Sequence, residues 1–158
     1  MTCRLLLFCA LLPGCAEALP PATACQAPAE VRVTLSSGSL LNPDESGVAL
    51  PTEIRVLALR DATLFENSTF DDAWAPVAPL ADAILSEQST TLYPGETAEV
   101  AITPTPETRA LVGIAIVRRP AGRTWRVIVP VEALPCGASA TLPLHVDEYR
   151  IERATESR

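Results

Sequence analysis

Leu111-Val112-Gly113-Ile114-Ala115-Ile116-Val117 is apolar at every position. A short, unbroken apolar run of this kind fits a strand buried on both faces, so something must cover each side of it. The run stops at Arg118-Arg119-Pro120-Ala121-Gly122-Arg123-Thr124, whose proline and glycine mark a hairpin loop. Trp125, Val127, Val129 and Val131 follow with inward parity, while Arg126 and Ile128 face the other way. The central strand therefore has an antiparallel neighbour on its C-terminal side.

Moving outward, the stretch from Glu53 to Arg60 is another strand, with Ile54, Val56 and Ala58 on one face. Leu57 and Leu59 occupy its second face, which also needs cover. The segment after it supplies that cover, a helical insertion over about residues 64–88. Ser68 and Asp71 resemble a helix start, and Phe70, Trp74 and Val77 share one helical face. Pro76 and Pro79 divide the insertion into two short helices, the second carrying Leu80, Ile84 and Leu85.

The remaining segments read as half-buried strands. Val31, Val33 and Leu35 alternate with polar residues, as do Ala98, Val100 and Ile102. Tyr93-Pro94-Gly95-Glu96 places Pro and Gly as a type II turn requires. Leu142, Leu144 and Val146 alternate too, but the parity then shifts to Tyr149 and Ile151, which predicts a bulge near Asp147. Six or seven strands with short, turn-rich links predict an all-β fold, an antiparallel β-sandwich with a short helical insertion. Between the first two strands, residues 42–51 form an exposed loop that opens on Asn42-Pro43-Asp44-Glu45-Ser46-Gly47.

Composition narrows the function classes. Net charge is −7, and all twelve basic residues are arginine. Acidic chains without a concentrated basic face do not suit nucleic acid. Arg118, Arg119, Arg123 and Arg126 gather near one hairpin end. They read either as a solvated tip or as a contact for an acidic partner or lipid head groups. The single histidine, His145, cannot build a zinc site, which takes three or four protein ligands. Asp71-Asp72 suits the dipole of a helix start better than acid–base chemistry. No glycine-rich phosphate loop, CxxC pair or HExxH stretch is present. The expectation is a binding module without catalytic, metal or cofactor residues, rather than an enzyme.

The N-terminus sets the compartment. Arg4 precedes a short apolar run that closes on Leu12-Pro13-Gly14-Cys15. A positive start, a short apolar stretch and small residues at its end make a secretory signal over residues 1–14. The run falls well short of the roughly 20 residues a spanning helix needs. Its ending resembles the lipobox of bacterial lipoproteins, which implies that Cys15 becomes the acylated N-terminus. Residues 15–29, rich in Ala and Pro, then form a tether. The domain spans residues 30–153, followed by a frayed tail over 154–158. Ala16, in the place where Asp would hold a lipoprotein in the inner membrane, implies sorting to the outer membrane, on its periplasmic face. Cys25 and Cys136 remain, either as separate thiols or as a bridge. A bridge would close a loop of about a hundred residues, worth roughly 4–5 kcal/mol on chain-entropy arguments.

Several stretches together resemble one family. Leu41-Asn42-Pro43-Asp44, Ile54 to Leu59, the Phe70 helical region, Leu92 to Glu96, Leu111 to Ile116 and Trp125 to Val129 occur in the order found in the TssJ (SciN/VasD) lipoproteins of the type VI secretion system. The likeness covers about residues 30–131. It implies a transthyretin-like sandwich that tethers the periplasmic C-terminal region of TssM to the outer membrane, with TssL joined indirectly through the TssJ–TssL–TssM complex. It also implies that the loop between the first two strands contacts TssM. Here the candidates are Asn42, Pro43, Asp44, Glu45, Ser46, Gly47 and Val48. Two rivals remain open at this point: a generic transthyretin-like lipoprotein with another envelope partner, and a surface-anchored hydrolase using His145.

Overall fold

A computed structural model describes residues 27–154. The signal segment, Cys15, most of the tether with Cys25, and the end of the tail lie outside the described residues.

Two four-stranded sheets pack face to face. The first has the order β4-β1-β7-β8, built from β1 (Glu30–Ser37), β4 (Thr97–Ile102), β7 (Ser139–Asp147) and β8 (Arg150–Arg153). The second has the order β3-β2-β5-β6, built from β2 (Thr52–Leu59), β3 (Ile84–Leu92), β5 (Ala110–Ala115) and β6 (Arg126–Pro130). All pairings are antiparallel except that of β1 with β7, which run side by side from Glu30 opposite Ser139 to Ser37 opposite Val146.

The interior follows from the alternation. Val31, Val33 and Leu35 of β1 and Ala140, Leu142, Leu144 and Val146 of β7 are buried on one side. Ile54, Val56 and Ala58 of β2 oppose them from the second sheet. Strand β5 is buried along its whole length. Gly113 lies under Leu144 and Ile151 of the facing sheet. A Cβ there would stand 2.7 Å from Leu144 Cδ1 and 3.3 Å from both Ile151 Cδ1 and Val127 Cγ1. The glycine inside this apolar run is thus a spacing requirement.

The outer face of the second sheet is covered as well, which explains why Leu57, Leu59, Val112 and Ile114 are apolar and buried. Helices α1 (Ala62–Glu66) and α2 (Phe70–Trp74) lie over it. Two arginines of that face hold them down. Arg126 donates through Nη1 to Ser68 O at 2.7 Å and through Nη2 to Glu66 O at 2.6 Å. Arg55 donates through Nη1 to Ala73 O and Trp74 O, while its Nε and Nη2 hold Glu87 at 2.6 and 2.8 Å. Burial lowers the Arg126 pKa, with Glu66 opposing, whereas the Glu87 hydrogen bond raises that of Arg55.

Three sequence expectations change. The helical insertion ends at the 3-10 turn Ala81–Ala83, and Ile84 and Leu85 begin β3 instead of completing a second helix. Pairing with β2 from Leu59 opposite Ile84 to Thr52 opposite Leu92 claims that stretch as a sheet edge. The bulge expected near Asp147 is a two-residue turn: Asp147 pairs with Arg150, and Glu148 takes the left-handed conformation at φ 47°. The reversal, not an inserted residue, shifts the apolar parity to Tyr149 and Ile151. Finally, Arg126 leaves the hairpin cluster, because its side chain is spent on the helical segment.

Candidate docking surface

The β1–β2, β3–β4, β5–β6 and β7–β8 connections meet at one pole of the sandwich. The β1–β2 loop is the largest of them and is braced by long-range contacts. Leu41 is fully buried at its base. Asn42 is buried beside it, at φ 44°. Its backbone N–H donates to Glu148 O at 2.6 Å, and its Oδ1 accepts from the Arg118 backbone N–H at 2.9 Å. The Tyr149 hydroxyl donates to Pro43 O at 2.8 Å. Asn42 and Pro43 thus tie the β1–β2 loop to the β5–β6 and β7–β8 connections.

Asp44 shapes the tip. Its Oδ1 accepts from Ser46 N at 2.8 Å, Ser46 Oγ at 2.7 Å and Val48 N at 2.9 Å. Its own N–H donates to Val48 O at 2.9 Å, and Gly47 supplies the left-handed turn at φ 83°. The Ser46 hydroxyl, followed by the Val48 amide, holds the Asp44 carboxyl below the usual carboxylate range. The seven candidate residues therefore divide by position. Asn42 is a buried brace, Pro43 and Asp44 are half-buried, and Glu45, Ser46, Gly47 and Val48 form the exposed tip. Val48 is 57% exposed, an apolar side chain presented to solvent.

Other groups at this pole escaped the sequence reading. Tyr149 was assigned to a strand interior, yet it supports Pro43 and stands under two guanidiniums, Arg119 at 5.8 Å and Arg123 at 5.9 Å from its ring centre. Tyr93 is half-exposed on the type II turn, where Glu96 N–H donates to Tyr93 O and Gly95 takes φ 74°. The turn is tied to the base of the loop, since Ser37 Oγ donates to Tyr93 O at 2.7 Å and Gly95 N–H to Gly38 O.

The opposite pole receives the N-terminal segment. Ala27, Pro28 and Ala29 line a cavity with Pro104, Gly137 and Ala138. Cys136 is disulfide-bonded there. Its expected partner, Cys25, lies outside the described residues.

His145 sits on the outer face of the first sheet with Ser36 Oγ 2.9 Å from its Nδ1 and Glu152 opposite it in register. The same hydroxyl reaches Leu144 O at 3.4 Å. Among the described residues, no group of three or more His, Cys, Asp and Glu side chains is placed to hold a metal ion. No helix among them is long and apolar enough to cross a membrane.

A sandwich that gathers braced loops at one pole and receives its N-terminal segment at the other is a loop-presenting binding module. Residues 29–149 match the family described as type VI secretion lipoprotein, VasD, EvfM, TssJ. The chain belongs to that family, whose members are structural lipoproteins of the secretion system and not enzymes. This removes the hydrolase rival. Solved structures share the fold. The T6SS lipoprotein TssJ1 from Pseudomonas aeruginosa superposes with a TM-score of 0.71 at 23% identity, over 83% of this chain and 98% of that one. Serratia marcescens Lip, a membrane-bound component of the type VI secretion system, gives 0.73 at 19% identity, over 82% and 100%. A chain in the structure described as the TssM C-terminal domain from EAEC gives 0.70 at 16% identity, over 80% and 98%. No curated protein matches the sequence.

Proposed function

We propose that the chain is an outer-membrane lipoprotein that holds the periplasmic C-terminal region of TssM, and through it TssL, in the envelope complex of the type VI secretion system. Acylated Cys15 anchors it on the periplasmic face. The observation that carries the reading is the division of labour between the poles. The N-terminal segment enters at one end, and the braced 42–48 loop is presented at the other. A partner rising from the inner membrane would meet the loop rather than the anchor. The structure of the TssM C-terminal domain that contains a chain of this fold supports the choice of partner.

The test is co-purification of the full acylated chain with the periplasmic region of the cognate TssM. Deleting residues 44–48 removes the tip with its closing Asp44–Val48 bonds and leaves the Leu50 N–H to Leu41 O bond at the loop base. Capture is expected to be lost while the thermal transition is kept. Unchanged capture refutes the loop assignment.

We also propose that Cys25 is the partner of Cys136. Ala27 and Gly137 line the same cavity, and the two residues from Cys25 to Ala27 span at most about 7 Å. The bond would pin the tether to the pole away from the loop. Thiol labelling of the denatured, unreduced mature protein should modify neither cysteine; modification of both would overturn the pairing.

A further inference from the structure

Beside the braced loop lies a shallow groove lined by Phe70, Asp71, Trp74, Ile116, Val117 and Arg118. Its aromatic wall is held rigidly. Phe70 meets Trp125 edge to face at 5.3 Å and lies 6.3 Å from the tilted ring of Trp74. Helix α2 starts in a capping box formed by Thr69 and Asp72 and ends on Arg55, which holds the carbonyls of Ala73 and Trp74. Trp74 is nevertheless 50% exposed. A large apolar ring on a fixed support, left open to water, marks a contact more than a packing role.

The groove continues into the loop through one residue. Arg118 lines the groove, and its backbone N–H is bound to Asn42 Oδ1. Arg118 has no carboxylate within ion-pair distance among the described residues; Asp44 in the neighbouring loop feels its charge from farther off. In a chain of net charge −7, Arg118 shares the groove with the exposed indole of Trp74, while Arg119 and Arg123 lie over the Tyr149 ring at the same pole. The one carboxylate in the groove is Asp71.

We propose that the partner held by the 42–48 loop also seats an apolar side chain against Trp74 and Phe70, with a neighbouring carboxylate on Arg118. The proposal rests on the docking reading above and extends its footprint from the loop onto helix α2. Its occupant is an acidic segment with an apolar anchor, belonging to the same partner.

The full acylated chain in detergent micelles is titrated with the periplasmic region of the cognate TssM. Trp74→Ala is expected to weaken binding roughly tenfold or more, as truncating an interfacial tryptophan often does. Arg118→Glu should weaken it too, and the loss should shrink at high salt. Binding should shift the tryptophan emission of the wild type to the blue, and Trp74→Phe should abolish that shift. If deleting residues 44–48 abolishes binding while Trp74→Ala and Arg118→Glu bind like the wild type, the groove inference falls and the loop assignment stands. If the wild type does not bind, both fall. If Trp74→Ala keeps its affinity for TssM but loses self-association or adsorption to anionic vesicles, the occupant is a second copy or a lipid surface, and the proposal is overturned. Unaltered thermal transitions in the variants exclude misfolding as the cause of lost binding.

Discussion

Asn42→Ala is expected to lower stability by about 2 kcal/mol and to weaken partner binding, although residue 42 lies beneath the exposed tip. Two losses add. The Arg118 backbone N–H loses its acceptor, and a hydrogen bond of this kind contributes roughly 0.5–1.5 kcal/mol net. Alanine must then hold a left-handed backbone that asparagine adopts readily, at a cost of about 1 kcal/mol. The tie to Arg118 spans 76 positions of sequence, and the Tyr149 tie to Pro43 spans 106. Losing the first lets the β1–β2 and β5–β6 connections drift apart, so the tip pays part of its ordering entropy on binding. Asn42→Gly should restore the backbone share of the stability but not the bridge. Asn42→Asp keeps an acceptor facing the Arg118 amide and should be the mildest of the three. Urea unfolding gives the stability order, and titration with the TssM region gives the affinities. Wild-type stability in Asn42→Ala would show that the bridge contributes nothing.

The elements legible in the sequence were those with a single environment on each face. Strands β1 and β7 alternate cleanly because one face is core and the other solvent. Strand β5 is apolar throughout because it is covered twice, and Tyr93 to Glu96 turned as their residue types demand. Strand β3 was missed because it is an edge. After Ile84 and Leu85, which mimic a helical face, it runs through Ser86, Glu87, Gln88 and Ser89 with little burial to impose a period. Strand β8 was missed because a two-residue reversal and a bulge shift parity in the same way. The docking pole was half legible. Turn-forming residues located the loop, but the same types describe a solvated tip and a buried brace, so Asn42 and Glu45 looked alike. Tyr149, Arg118 and Trp74 acquire their roles only through partners far away in sequence, and no local pattern carries that information. Arg126 is the converse case: four arginines near a hairpin look like one patch until the sheet turns one of them under a helix.

Cys15→Ser is expected to separate folding from function more sharply than any change in the domain. The sandwich core draws almost nothing from the N-terminal segment: its buried aliphatic and aromatic side chains run from Val31 to Ile151, and Pro28 is the one residue before Glu30 that is buried among the described residues. The unacylated protein should therefore fold, melt like the wild type and bind the TssM region with unchanged affinity in solution. It should also leave the membrane fraction. Each buried acyl methylene contributes about 0.8 kcal/mol, and no helix among the described residues is long and apolar enough to cross a membrane in its place. Secretion should then fail, since a tether transmits position only when both ends are fixed. With the anchor gone the loop still grips its partner, but the partner is no longer held to the outer membrane. Fractionation, binding in solution and effector release measured on the same variant test the three parts together. Persistence of Cys15→Ser in the membrane with normal effector release would refute the anchoring role of this residue. Loss of TssM binding in solution would instead mean that the N-terminal segment belongs to the docking surface, contrary to its entry at the opposite pole.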